Sequence, residues 1–185
     1  MSSATPGDSA MLRGRIVHLL LQFLPGVPAD KRAAAAERLL ASEIDIASEL
    51  AATLRAEADA VLARPELAAF FGSQSRAEVA IVGNVATTNG DFAVSGRIDR
   101  LVRDRTGWHL IDFKTDRAVP DSVEKADAAY ILQMGLYRKL LMDMEPGAAV
   151  NATLVFTAGP KIMPIPAELM EQATAELGIH ANPVP

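Results

Sequence analysis

The 185-residue sequence has no cysteine, and that single absence removes several function classes. Disulfides, structural zinc held by thiolates and cysteine-ligated iron–sulfur clusters are all excluded. No stretch approaches the ~20 apolar residues needed to cross a bilayer. The opening MSSATPGDSA lacks the basic start and apolar run of a signal peptide, so a cytoplasmic protein without membrane contact is expected. There is no G-x-x-x-x-G-K-[ST] phosphate loop, so no ATP-driven motor of that type is encoded here. Internal repeats are missing, as are low-complexity tracts other than the alanines. Positive charge is short as well: 18 Lys and Arg against 23 Asp and Glu give a formal charge of -5. Proteins that meet nucleic-acid backbones normally carry a surplus of cations.

Half of the residues are hydrophobic, enough at this length for one well-buried core. Residues 1–11, with Ser, Thr, Pro and Gly, read as a flexible lead-in, and 12–180 as a single domain. Its helical part covers 12–72 and its α/β part 75–180. Apolar residues at helical spacing run from Met11 to Leu24 and stop at Pro25-Gly26. Ala29 to Leu62 has no Pro or Gly other than those that flank it and predicts two helices, with Pro65 opening a short fourth that ends near Gly72. From Ala77 the pattern changes to three β-rich runs, AEVAIVGNVAT, DFAVSGRIDRLV and WHLIDFKT, separated by Asn89-Gly90 and by Asp104 to Gly107. A helix over Lys125 to Met144, a buried strand NATLVFT and a helix over Ala167 to Leu177 complete the chain. The charges are uneven along it. Residues 40 to 91 hold three arginines against eight acids, while 97 to 139 hold nine Lys or Arg against seven acids. The field near the second stretch can therefore favour a polyanion, although ordinary solvated surface charge gives the same pattern.

Strand alternation puts Asp112 and Lys114 of WHLIDFKT on one side, with Ile111 and Phe113 on the other. Such a pair suits phosphate hydrolysis, the acid holding Mg²⁺ and the ammonium steadying negative charge on the phosphate. It is also what a plain same-face ion pair looks like. A turn centred between residues 105 and 106 would set Asp99 opposite Asp112, so that both carboxylates reach one ion. Mg²⁺ is commonly held by one or two carboxylates with waters and substrate phosphate. Without a cation the two acids would need Lys114, Arg97 or Arg100 to offset their repulsion. His18 on the first helix, Glu78 on the first strand, and Gln133 with Tyr137 four residues apart on the later helix are further polar candidates. Each alone is equally well a packed or exposed residue.

Together, Gly14-x-x-x-His18, Glu78, Gly96-x-x-Asp99, Asp112-Phe113-Lys114-Thr115 and Gln133-x-x-x-Tyr137 resemble the RecB-like nuclease domain, a branch of the PD-(D/E)XK nuclease superfamily. Within that branch the chain is similar to the C-terminal nuclease domains of the AddA subunits of bacterial AddAB helicase-nucleases, from Leu12 to Leu177 and including the LVFTAGP strand. The resemblance implies a restriction-endonuclease-like α/β core of order α-β-β-β-α-β, with a mixed sheet flanked by helices and preceded by a helical segment. It implies that His18, Asp99, Asp112 and the Phe113 carbonyl hold Mg²⁺, with Mn²⁺ as a substitute. Lys114 would assist the attacking water, and Gln133 and Tyr137 would orient DNA and the site. Phenylalanine at 113 replaces a more usual tyrosine and leaves the carbonyl in place. The implied partners are single-stranded DNA delivered by a helicase, the AddA motor and the AddB subunit. Relatives with an iron–sulfur cluster are disfavoured by the missing cysteines. A non-catalytic docking or DNA-end-binding module and a free-standing DNA exonuclease are the alternatives.

Overall fold

The computed structural model describes residues 6–43, 48–88 and 90–179. Three helices come first: α1 (Pro6–Phe23), α2 (Arg32–Glu43) and α3 (Ser48–Leu62), with a 3-10 segment at Pro65–Phe71. Strands β1 (Ser75–Thr87), β2 (Gly90–Asp104) and β3 (Gly107–Lys114) come next, then α4 (Ala128–Met144), β4 (Val150–Phe156), β5 (Lys161–Ile165) and α5 (Ala167–Ala175). The first helix begins at Pro6, so the expected lead-in over 1–11 is helical from that residue onward, and residues 1–5 lie outside the described ones. Asn89 of the expected Asn89-Gly90 turn also lies outside them, as does residue 180. Among the described residues, no helix is long and apolar enough to cross a membrane.

The five strands form one sheet in the order β1-β2-β3-β4-β5. β1 is antiparallel to β2, and β2 to β3. β3 and β4 run the same way, since the Trp108 amide donates to Ala149 and the Thr157 amide to Lys114, the partners advancing together. A helix crossover between them is the connection that a parallel pair requires, and α4 supplies it. The α/β fold class expected from the sequence is the one observed, with β5 as an addition that the sequence pattern does not predict. Pro164 in the middle of KIMPI argues against a strand in sequence. At the end of the strand order, where one side of the backbone has no neighbour in the sheet, a missing N–H is tolerated.

The chain divides into two compact units. The first joins residues 1–73 to 113–119 and 156–161; the second holds 74–112, 120–155 and 162–185. The break at 73/74 coincides with the change of composition near residue 75. The two short pieces that join the helical unit are the end of β3 with the loop after it and the end of β4 with its turn. In the first unit α1 packs on α3, burying Ile16, Val17, Leu20 and Leu21 with Leu54, Ala58 and Val61. Each of the larger side chains contributes about 1.5–3 kcal/mol of transfer free energy. The Phe113 ring stacks on Phe71, with centroids 6.3 Å apart. In the second unit α4 packs on α5 and on β1, and its N-terminus is capped by Asp127, whose carboxylate accepts from the Ala129 amide at 2.9 Å.

The β2–β3 ladder runs from Asp104↔Gly107 to Arg100↔Ile111, the register that a turn centred between 105 and 106 predicts. Asp104 closes the turn by accepting from the Thr106 amide at 2.7 Å and the Thr106 hydroxyl at 2.6 Å, with His109 Nε2 3.3 Å away. These contacts, the Thr106 hydroxyl first, hold the Asp104 carboxyl at about 2 against an ordinary 3.8. A depressed folded-state value means the stabilisation is complete above the ordinary value and is lost as pH falls through about 2. A carboxyl titration by NMR is expected to place the Asp104 midpoint near 2, and Thr106→Val to move it up toward the ordinary value. An Asp104 midpoint unaltered by Thr106→Val would contradict this account of the turn.

Candidate active site

In the helical unit, α1 lies against the end of β3. Gly14 permits the approach, because a Cβ there would stand 3.3 Å from Thr115 Oγ1. One turn later His18 brings Nε2 to 3.0 Å from the Phe113 carbonyl oxygen, and its ring meets the Phe113 ring edge-on at 6.2 Å. Two neighbouring ligands, each about 2.1 Å from an octahedral Mg²⁺, stand about 3.0 Å apart. The imidazole nitrogen and the carbonyl thus have the spacing and the chemistry of adjacent ligands to one divalent cation. The Lys114 carbonyl accepts from the Thr157 amide at 2.9 Å, which fixes the strand end that carries the lysine.

In the second unit the acids come from three neighbouring strands. Asp99 and Asp112 are the next residues beyond the last observed pair, Arg100↔Ile111. In the β1–β2 ladder, Ala77↔Arg100 and Val79↔Ile98 enclose Glu78 and Asp99, which share the level between them. A carboxylate oxygen of Glu78 lies within 4.8 Å of one of Asp99. Glu78 adopts φ 53°, the left-handed region, which costs a side-chain-bearing residue roughly 1–2 kcal/mol. Cations attend this row. Arg97 Nη1 lies 3.4 Å from Glu78 Oε2, and Arg100 is buried at 5% exposure. Burial pulls the Arg100 guanidinium below its ordinary pKa, and Glu78 and then Asp99 push it back up.

Asp112 is also only 5% exposed. Gln133 Nε2 donates to Asp112 Oδ1 at 3.4 Å and to the Tyr137 hydroxyl at 3.2 Å, a division that the two amide hydrogens allow. The Tyr137 hydroxyl in turn accepts from the Arg97 amide at 3.3 Å. Gln133 and Tyr137, one helical turn apart on α4, therefore join the strand of Asp99 to the carboxylate of Asp112. Gly96 explains how the tyrosine fits. A Cβ on residue 96 would lie 1.9 Å from the Tyr137 hydroxyl oxygen and 2.6 Å from Cζ. The glycine stands out in the sequence as part of Gly96-x-x-Asp99, but its reason, an aromatic side chain 41 positions later in the chain pressed on its backbone, is not visible there.

The structure thus brings together His18 with the Phe113 carbonyl, Glu78 with Asp99, and Asp112 with Gln133 and Tyr137. The sequence offers no sign of Thr157, whose amide holds the Lys114 carbonyl, or of Glu57, which accepts from the Thr157 hydroxyl. Gly96→Ala is expected to cost about 1–3 kcal/mol through overpacking. In a double-variant cycle by chemical denaturation, most of that loss should vanish in a Tyr137→Leu background. Additive losses would show that the tyrosine is not what excludes a side chain at 96.

The sequence profile of the PD-(D/E)XK nuclease superfamily matches residues 3–179. No curated protein matches the chain. Among solved structures, a protein of Eubacterium rectale provisionally named an exonuclease has a TM-score of 0.52 at 13% identity, over 96% of this chain and 65% of its own. The chain thus spans less than two thirds of that protein's length. The structure of SSO0001 and that of protein VC1899 from Vibrio cholerae, both 15% identical, have TM-scores of 0.38 and 0.36. They match 87% and 93% of this chain and 73% and 48% of their own lengths. With the profile matched over nearly the whole length, and with acids arranged on β1, β2 and β3 as described, the chain belongs to the PD-(D/E)XK nuclease superfamily.

Proposed function

We propose that the chain is the RecB-like nuclease domain of an AddA-type helicase-nuclease, a Mg²⁺-dependent deoxyribonuclease of the exonuclease type. It hydrolyses single-stranded DNA as a helicase delivers it, in the cytoplasm, during double-strand break processing and recombinational repair. The observation that carries the reading is the register of the central strands, which stops one rung from Asp99 and Asp112 and sets Glu78 level with Asp99. Carboxylates so arranged repel one another, and a divalent cation offsets that repulsion.

On the family resemblance, Asp99, Asp112, the Phe113 carbonyl and His18 hold Mg²⁺ or Mn²⁺. When bound, the cation supplies Lewis-acid polarisation of the phosphate and a lowered pKa for water. Lys114 places an ammonium where negative charge grows on the phosphate oxygens. Gln133 keeps Asp112 oriented through its amide, and Tyr137 braces Gln133 against β2. The net charge of -5 gives the domain little affinity of its own for a polyanion. Binding then depends on the motor and the AddB subunit, which present the strand at high effective concentration.

A second reading draws on Arg100, which is buried and feels the charges of Glu78 and Asp99. An arginine can offset these acids without a metal, as in a non-catalytic DNA-end-binding module. Calorimetry with Mn²⁺ separates the two, since the nuclease reading requires binding that Asp99→Ala abolishes. On a labelled single-stranded oligonucleotide, slow cleavage is expected with Mg²⁺ or Mn²⁺ and none in a chelator. Asp112→Ala should lower the rate by about 10²-fold or more, and Lys114→Ala by a similar factor while leaving Mn²⁺ binding intact. An Asp112→Ala protein that cleaved at the wild-type rate would end the proposal.

A further inference from the structure

The helical unit contains a buried ion pair that the proposed chemistry does not use. Arg13 on α1 and Glu57 on α3 meet through Nη2 and Oε2, with side chains 11% and 7% exposed. The other Glu57 oxygen accepts from the Thr157 hydroxyl, a residue 1% exposed at the end of β4. That hydroxyl also lies 3.4 Å from the Lys114 carbonyl, but it has one proton, and the charged carboxylate is the stronger acceptor. The Lys114 carbonyl is left to the Thr157 amide at 2.9 Å. Arg13, steered by Glu57, turns Nε toward the Thr115 carbonyl at 3.4 Å. Of the two carbonyls after that of Phe113, the Thr115 carbonyl is thus held by a donor that Glu57 steers, and the Lys114 carbonyl by the backbone amide of the residue whose hydroxyl Glu57 engages.

A buried pair of this kind is weak evidence for stability, because apolar replacements often serve as well. Its location says more. Holding the peptide planes after Lys114 and after Thr115 fixes the dihedrals of Thr115 and anchors the chain just beyond Lys114, so that the Phe113 carbonyl facing His18 can turn only about the Lys114 dihedrals. We propose that Glu57 is a positioning residue for the metal site: through Arg13 and Thr157 it holds the Phe113 carbonyl toward His18 and aims Lys114. The role rests on the nuclease reading above, but its geometric part exists in the metal-free protein.

The test uses the 185-residue chain in both states. Histidine is present at only three positions, so the ring nitrogens of His18 can be assigned by ¹⁵N NMR in the metal-free protein. Glu57→Gln, which cannot accept from both partners as a carboxylate does, should shift the His18 Nε2 signal. Mn²⁺ affinity by calorimetry should fall by about 10–100-fold, the range for groups that orient metal ligands. Thr157→Val should act in the same direction, and Thr157→Ser, which keeps the hydroxyl, should restore wild-type values. This pair decides the matter if Glu57→Gln does not fold. Leu54→Val, a core change on the same helix, should lower the melting temperature without moving either readout. Unchanged His18 signal and affinity in folded Thr157→Val, or an equal shift in Leu54→Val, would overturn the proposal. A wild-type protein that binds no Mn²⁺ but whose His18 signal still responds to Glu57→Gln would instead refute the nuclease reading and the metal role, leaving the carbonyl-positioning geometry in place.

Discussion

The pairing register of β2 with β3 is the constraint on which the rest of the site depends. Strand side chains alternate with a period of two, so a slip by one residue would send Asp99 to the opposite face from Asp112. The turn is what prevents the slip. Asp104 ties up the Thr106 amide and hydroxyl, and Gly107 pairs back with Asp104, leaving one way to begin the ladder. The Trp108 amide then anchors the start of β3 to Ala149 ahead of β4. A second ladder, β1 on β2, keeps one register on both sides of Glu78 and so puts that acid level with Asp99. Local turn chemistry thus sets positions about six residues away, where the acids stand.

Much of this is legible in the residues because the signals involved are local. The turn at 104–107, the alternation of WHLIDFK, and the stop at Pro25-Gly26 each need only a few adjacent positions. The illegible features depend on distance or on position within the sheet. β5 is hidden by Pro164, whose acceptability depends on standing at the end of the strand order, and no run of five residues carries that information. Gly96 is recognisable as part of a pattern, but its purpose is the close approach of Tyr137. Glu57 is separated from Arg13 by 44 residues and from Thr157 by 100, and the three belong to a helix, another helix and a strand end. No periodicity connects them. The assignment of 113–119 and 156–161 to the helical unit is hidden for the same reason.

The charge balance, which at first argues against a polyanionic substrate, looks different once the acids have places. Glu57 is consumed by Arg13 and Thr157, and Asp104 by its turn. Glu145 is taken by Arg103 and the Trp108 indole. Each ion pair removes one cation along with its acid and so leaves the formal sum unchanged, and what bears on a phosphate backbone is the charge close to Asp99. Arg97, by contrast, is 67% exposed in its side chain while sitting two residues from Asp99, where it can meet a phosphate as readily as it meets Glu78.

Glu78 brings the local and long-range arguments together. A glutamate at φ 53° in the interior of a 13-residue strand is held there against its own backbone preference, and glycine would relieve the strain. Such conformations persist where the surroundings over-determine them, and here the ladder resumes in unchanged register on either side. The surroundings explain how the conformation is kept, but not why a carboxylate occupies it. The nearby groups supply a reason: an acid within 4.8 Å on the neighbouring strand, an arginine 3.4 Å away and a buried second arginine that feels both acids. A strand built only for stability gains nothing from placing two like charges this close and then straining one of them. Opposite charge is what lowers the free energy of that arrangement: Arg97 and Arg100 supply part of it within the protein, and on the nuclease reading a bound cation supplies the rest.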